Sequence, residues 1–498
     1  MSSSNSTAGK PEMLEDETQT LAEQWESMDW QHVEHEVNRL QTRIAKAQAK
    51  GDANRVRRLQ YLLTHSYYAK AYAVRKVTTN KGKNTPGVDG ELWTSSAAKM
   101  KAASSLTDRR YRSKPLRRVY IEKKGKKKKK RPLGIPIMFD RAMQTLYALA
   151  LEPVAEVTAD THSFGFRKGR CAHDACEQAF IIFAKKDSAT WILDADIEGC
   201  FDNISHEWLL ENIPMDKNVL KQFLKSGFIH NGELFPTFAG SPQGGAISSL
   251  LANMTLDGLD KLIEDRYHRS AKGNVSNFLR SKAKVNLVRY ADDLVVSAKT
   301  REIAEDTKEL ISQFLSERGL ALSEEKTAII HIDDGFDFLG WTLRKFKGKL
   351  IIKPSKKSIK ALVSKLSDIV LREGKSHTQD VIIIRLNQVL RGWLNYHRHV
   401  VASKSFSLLD NTLFHILDRW ARRRHPNKGR RWVKDRYWHT LGGNNWRFMT
   451  QDNLLINAAA VPVTRHPKLC ISKNPFLDPE YFRTRSQYGK AASRCQQW

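Results

Sequence analysis

Apolar residues recur at helical spacing early in the chain. Trp30, Val33, Val37, Leu40 and Ile44 fall on one face, Gly51-Asp52 interrupts, and Val56, Leu59, Leu62 and Leu63 resume the pattern with Arg55, Arg57 and Arg58 turned outward. This predicts helices across 21–79, and the Gly-, Pro- and Asn-rich stretch from Asn80 to Gly90 predicts a loop. The period then shortens. Arg117–Ile121 and Leu133–Ile137 read as strands, with the lysine run Lys126–Lys130 at the tip between them. Residues 140–158 read as a helix, Trp191–Ile197 as a short apolar strand, Val285–Ser297 as a strand pair, and 301–318 as a helix leading to Gly319. Beyond Trp341 the pattern is helical. Residues 354–373 place Ile359, Leu362, Val363, Leu366, Ile369 and Val370 on one face, with Pro354 near the start and Gly374 near the end. With 378–398 and 405–423 this predicts a three-helix bundle with one basic end, followed by a weakly periodic, Arg- and Trp-rich region. Residues 1–20, polar and acidic at Glu12, Glu15, Asp16 and Glu17, are expected to be a disordered tail without a secretory or organellar signal.

A chain of 498 residues is too long for one core and suggests two to four domains. Its formal net charge of +29 is a self-repulsion that a polyanion would relieve, and nucleic acid is the first candidate. No apolar run approaches the roughly 18 residues of a membrane span, so no membrane partner is expected. The five cysteines (Cys171, Cys176, Cys200, Cys470 and Cys495) are scattered and lack zinc-finger spacing, which suits a reducing, cytoplasmic compartment.

The acids sharpen the picture. Asp196 ends an apolar strand, and the backbone carbonyl of Ile197 follows as a possible further ligand. Asp292 and Asp293 interrupt two apolar runs, which places them at the tip of a tight hairpin. Adjacent acids repel, and a divalent cation would explain them. Taken on charge alone, a surface turn is the favoured explanation.

The surrounding motifs decide between these. Tyr290-Ala-Asp-Asp293 resembles the Tyr-x-Asp-Asp motif of reverse transcriptases, and Asp196 with Phe201 five positions later resembles their first carboxylate motif. Gly240-Ser-Pro-Gln-Gly244 resembles the segment beside the incoming nucleotide, which makes Gln243 a nucleotide contact. Phe201 resembles the aromatic gate against a ribose 2′-hydroxyl, although core packing explains it equally. Arg118–Lys123 and Arg131–Pro136 resemble the fingers blocks, so Lys123 and Arg131 would meet the triphosphate. Ser163–Gly169 matches another block, with Arg167 and Lys168 as template contacts. Leu322–Thr327 resembles the block whose lysine approaches the leaving pyrophosphate, here Lys326, and Phe338–Trp341 resembles the block that closes the palm.

Ala71–Val77, Thr85–Gly90 and Leu386–His397 resemble one branch, the group II intron-encoded reverse transcriptases and maturases. The resemblance implies an α+β right-hand polymerase with an antiparallel palm sheet, followed by a helical thumb. Its domains would be a tail at 1–20, a helical extension with the first block at 21–90, fingers and palm at 91–345, a thumb at 346–424, and a basic DNA-binding-like region at 425–498. Asp196, Asp292 and Asp293 would hold two Mg²⁺ ions. The partners would be an RNA template, a DNA primer, dNTPs, the intron RNA and a target DNA, in a bacterial cytoplasm or nucleoid, with no oligomeric state implied. Arg391 and Arg398 would face outward beside His399. Arg422, Arg423, Arg424, Lys428, Arg430 and Arg431 form a cationic cluster with Trp420 and Trp432 interleaved, suited to phosphates and unpaired bases. Trp393 and Trp420 themselves are expected in the core. Many relatives continue into an endonuclease with paired cysteines. Cys495 near the end supplies one, so no endonuclease is expected, and the primer would come from elsewhere, such as a nascent strand at a replication fork. Two competing readings are an RNA-binding maturase without polymerase activity and a domesticated relative in host defence or DNA repair.

Overall fold

The computed structural model describes residues 9–122, 130–242 and 244–494, so the expected nucleotide contacts Lys123 and Gln243 lie outside the described residues. Four helices open the chain: Gly9–Glu26, Trp30–Ala49, Ala53–His65 and Tyr67–Thr79. The first of them corrects the expected tail over its described part. Leu21 and Trp25 stand one turn apart near its C-terminal end. Trp25 is buried edge-on against Trp30 at 4.8 Å, and Ser96 Oγ donates to Glu26 at 2.9 Å. Leu62, expected on the apolar face, is exposed.

The fingers sheet runs Lys130–Ile135, Leu116–Glu122, Phe228–His230, Glu233–Phe235, with a short parallel contact between the second and third strands. The palm sheet runs Asn286–Tyr290, Asp293–Ala298, Trp191–Asp196, Ala328–His331 and is antiparallel throughout. Its two faces serve different cores. Leu193, Ala195, Leu287, Leu294 and Val296 pack toward the fingers helices, whereas Ile192, Val288 and Val295 pack toward the thumb. Side chains alternate along a strand, so Asp194 and Asp196 share the Ile192 face, and Asp293 shares that of Val295. The register therefore puts three acids on the thumb-facing side at one end of the sheet.

A three-stranded sheet, Phe336–Phe338, Trp341–Phe346 and Lys349–Pro354, leads into the thumb. Lys356–Ser367, Gln379–His397 and Ser403–Arg424 form the helical bundle. Trp420 is buried, with Nε1 donating to the Gly374 carbonyl at 2.8 Å. Trp393 is half-buried and donates to Ser358 Oγ at 3.1 Å. The weakly periodic end of the chain holds more structure than its pattern suggests: a helix at Arg430–Tyr437, a hairpin of Trp438–Leu441 with Asn444–Phe448, and a helix at Pro479–Arg494.

Candidate active site

The first acid motif and the hairpin meet in register: Asp196 pairs with Asp293, and Tyr290 pairs with Asp293 across a two-residue turn of Ala291 and Asp292. Ala291 has φ of 57°, left-handed backbone that an alanine adopts at a cost of about 1–2 kcal/mol. Packing holds it there. A Cβ on Gly165 would press on Ala291 N, so only glycine fits against the turn. Asn253 Nδ2 fixes Gly165 by donating to its carbonyl at 2.8 Å. The 162–165 segment is tied alongside the strand by Arg289 N to His162 O and Phe164 N to Arg289 O, each 2.9 Å.

Two backbone bonds, Glu198 N to Ala321 O at 2.9 Å and Ser323 N to Asp196 O at 2.8 Å, flank Ile197. Its own carbonyl consequently points to the other side, that of the hairpin. Lys326 reaches across from the Leu322–Thr327 block, and its Nζ lies 2.8 and 2.7 Å from the two Asp196 oxygens. Burial alone would lower the Lys326 pKa, but the hydrogen bond and charge of Asp196, with the charges of Asp292 and Asp293, outweigh it and the pKa is raised.

The remaining acids are in electrostatic conflict. Asp293 is pushed up to about 6 by burial and then by the charges of Asp292 and Asp196, with Lys326 and Lys357 pulling the other way. Asp292 is raised by burial and Asp196, and relieved by Arg131 and Lys326. A fourth acid, Asp194, is pushed up to about 7 by burial, then by Asp293, Asp196 and Asp337. Sequence reasoning missed Asp194, though its same-face spacing in Asp194-Ala-Asp196 was a usable signal. Clustered oxygens, a deficit of positive charge and one ammonium already bridging a carboxylate suit hard divalent cations.

Arg131 lies exposed on the Lys130–Ile135 strand, close enough to lower the Asp292 pKa. Phe201 is half-buried, edge-on to exposed Phe166 at 6.3 Å. Gly240 and Ser241 sit on its backbone. Gly240 N donates to Ile204 O at 2.8 Å and Ser241 N to Phe201 O at 2.7 Å, and a Cβ on Gly240 would lie 2.6 Å from the Phe201 carbonyl. Buried Gln144 accepts from Ala246 N at 2.9 Å, and a Cβ on Gly244 would lie 2.8 Å from Gly134 O, which locks this loop to the fingers strand.

Two expected nucleic-acid contacts are corrected. Arg167 is buried: its Nη2 pairs with Glu156 at 2.7 Å, and its Nη1 donates to Asp160 O at 2.6 Å and Ser163 O at 3.0 Å, so its donors face inward. Arg398, the C-cap of the Gln379–His397 helix, is also buried, and burial lowers its pKa. His399 is likewise turned in, its ring 5.0 Å from that of Trp341. Lys168 and Arg391 are exposed, as are Arg422, Arg423, Arg424, Lys428, Arg430 and Arg431. Arg424 lies over Trp420 at 5.0 Å and Lys428 over Trp432 at 5.5 Å, which puts cations beside aromatic faces.

Three family models match the chain: reverse transcriptase (RNA-dependent DNA polymerase) over residues 121–343, the N-terminal domain of reverse transcriptase over 25–106, and the group II intron, maturase-specific domain over 359–438. Protein YkfC of Escherichia coli (strain K12) is 31% identical over 341 residues, covering 62% of this chain and 88% of its own. Group II intron-encoded protein LtrA of Lactococcus lactis subsp. cremoris is 33% identical over 359 residues, 61% of this chain. The chain spans 59% of the length of LtrA. Among solved structures, a telomerase from Candida albicans aligns over 64% of this chain and 60% of its own, at 12% identity and a TM-score of 0.36, too loose a superposition to bear on function.

Proposed function

The chain belongs to the family of group II intron-encoded reverse transcriptases and maturases, and from that premise we propose that it is an RNA-directed DNA polymerase that also binds its intron RNA. The observation that carries this reading is the pairing of Asp196 with Asp293 beside Asp292, within reach of Lys326 and Arg131.

Asp196, Asp292 and Asp293, with the Ile197 carbonyl, would hold two Mg²⁺ ions, which when bound supply the positive charge that attacking and leaving oxygens need in nucleotidyl transfer. The side chains do the rest. Lys326 leaves Asp196 to neutralise the departing pyrophosphate, with the Nζ proton available to the leaving oxygen. Arg131 offers a guanidinium fork to the triphosphate, and the family resemblance assigns Lys123 and Gln243 as further nucleotide contacts. The Phe201 ring, fixed by the loop packed on its backbone, blocks a 2′-hydroxyl. The Gly165 clamp holds Asp292 in place before substrate arrives, so little reorganisation is needed at the reacting centre.

The exposed cations Arg391, Arg422, Arg423, Arg424, Lys428, Arg430 and Arg431, with Lys168, would track phosphates of the intron RNA and of a target DNA. Binding of the intron RNA would favour its splicing-competent form, and target-primed DNA synthesis would return the intron to DNA. The setting is a bacterial cytoplasm. Among the described residues, no helix is long and apolar enough to cross a membrane. Primer extension on an RNA template tests this reading. Asp292→Ala should abolish extension and leave RNA affinity unchanged, and a variant that extends like the parent protein would end it.

A further inference from the structure

Where palm, thumb and C-terminal segment meet, metal-binding atoms converge from distant parts of the chain. Cys171 caps the helix Ala172–Phe183, Asp174 lies in its first turn, and His466 arrives 292 positions beyond Asp174. The sulfur, one carboxylate oxygen and one imidazole nitrogen all lie within 4.8 Å of one another. His466 Nε2 is 2.8 Å from Asp174 Oδ1, and Cys171 Sγ is 3.3 Å from Asp174 Oδ2. With bonds of about 2.0–2.3 Å, ligands of a tetrahedral zinc ion lie roughly 3.3–3.7 Å apart, so only small shifts separate this group from a coordination shell.

His173 completes the set. Its Nε2 lies 3.0 Å from the Tyr396 carbonyl, which can only accept, so Nε2 carries the proton and Nδ1 the lone pair. That Nδ1 is 3.8 Å from Cys171 Sγ. A carbonyl-anchored imidazole is the usual support of a metal-binding histidine. The fifth neighbour is Arg485, whose guanidinium contacts both Asp174 Oδ1 and His466 Nε2. Its Nε is buried with no hydrogen-bond partner among the described residues. One positive nitrogen shared by a carboxylate and an imidazole marks a place for a cation, and the orphaned Nε shows that arginine fills it imperfectly.

We propose that Cys171, Asp174 and His466, with His173 as fourth ligand, bind a zinc-class divalent ion that pins the C-terminal segment to the palm. Arg485 holds the place and withdraws when the ion enters. Thiolate and imidazole select zinc over the hard ions suited to the carboxylate cluster at Asp196. Binding releases the Cys171 thiol proton to solvent.

Cobalt(II) titration of the full chain, stripped with a chelator, tests the site. The expected result is a thiolate-to-cobalt charge-transfer band that saturates at one ion per chain and persists in Asp292→Ala. Cys171→Ser should lose the band while its melting temperature in chelator is unchanged, because serine is a good helix cap. His466→Gln should bind cobalt roughly tenfold more weakly or worse, and Arg485→Gln roughly tenfold more tightly, the scale on which neighbouring groups tune metal sites. If Cys171→Ser does not fold, the His466→Gln titration decides. The absence of the band in both the parent protein and Arg485→Gln, or its full retention in Cys171→Ser or His466→Gln, would overturn the proposal.

Discussion

Two clusters of buried charge flank the same hairpin, and they are built on opposite rules. Beneath the 286–290 strand, Arg167 pairs with Glu156, Arg289 with Asp257, and His162 with Asp260. Burial raises the Asp257 and Asp160 pKa values there, and the charges of Asp260 and Asp257 help push Asp160 to about 7, but Arg289 counters both, and Asp160 accepts N–H bonds from Gly258 and Leu259 at 3.0 and 3.1 Å. At the hairpin tip, burial is compounded by like charge: Asp196 raises the pKa of Asp292, Asp292 and Asp196 raise that of Asp293, and Asp293 and Asp196 raise that of Asp194. Matched charge supports the hairpin from below, and unmatched charge at its tip is kept for a ligand. Perturbed acids with too few cations therefore point to chemistry, and equally buried acids with partners point to architecture.

The comparison can be broken at either end. The largest effect is expected from Asp292→Asn. Loss of several kcal/mol of transition-state stabilisation should cut primer extension on the order of 10³-fold or more. The same variant should melt higher, because Asp293 and Asp196 lose a repelling neighbour. A variant that melts lower would mean that the tip was not in conflict. Next, Arg167→Gln strands Glu156 in the interior and should cost about 3–5 kcal/mol in denaturant unfolding. If stability is kept and only template binding falls, Arg167 belongs with the contacts and not the supports.

A smaller effect concerns acid. Burial, then the charge of His173, lowers the His397 pKa to about 4. The folded protein thus resists a proton that the unfolded chain accepts near pH 6.5. Stability present above that pH is lost as pH falls toward 4, by up to about 3 kcal/mol. His397→Gln should flatten that slope in melts between pH 7 and 4.5, and an unchanged slope would locate the titrating group elsewhere. The smallest effect is expected from Arg430→Gln with Arg431→Gln. RNA affinity should weaken by about 1 kcal/mol, and its dependence on log salt should fall by about two. An unchanged slope would remove both from the phosphate-binding surface.

Much of this arrangement is written in local patterns. The alternation around Asp196 and the paired runs around Asp292 give the palm strands, and the spacing of Ile359 to Val370 gives the thumb helix, because burial of one face imposes a period. Arg167 and Arg398 were misread because an arginine in a basic stretch looks the same whether solvated or paired. The Arg167 partner, Glu156, sits 11 positions earlier on a helix recognised by its apolar residues. Helix Gly9–Glu26 was missed because sparse apolar contacts suffice when a neighbour such as Ser96–Ser105 covers them. Gly165 is invisible in sequence as a clamp, because what it must avoid is backbone 126 positions away.

One contact sets a timetable. Arg485 reaches Asp174 across 311 positions, and the Phe482 ring fills the space over Gly169, where a Cβ would lie 2.5 Å from it. A ribosome delivers residues 169–174 long before their cover exists. That patch waits bare while the thumb is still being made, which invites premature association or chaperone capture until the final helix docks.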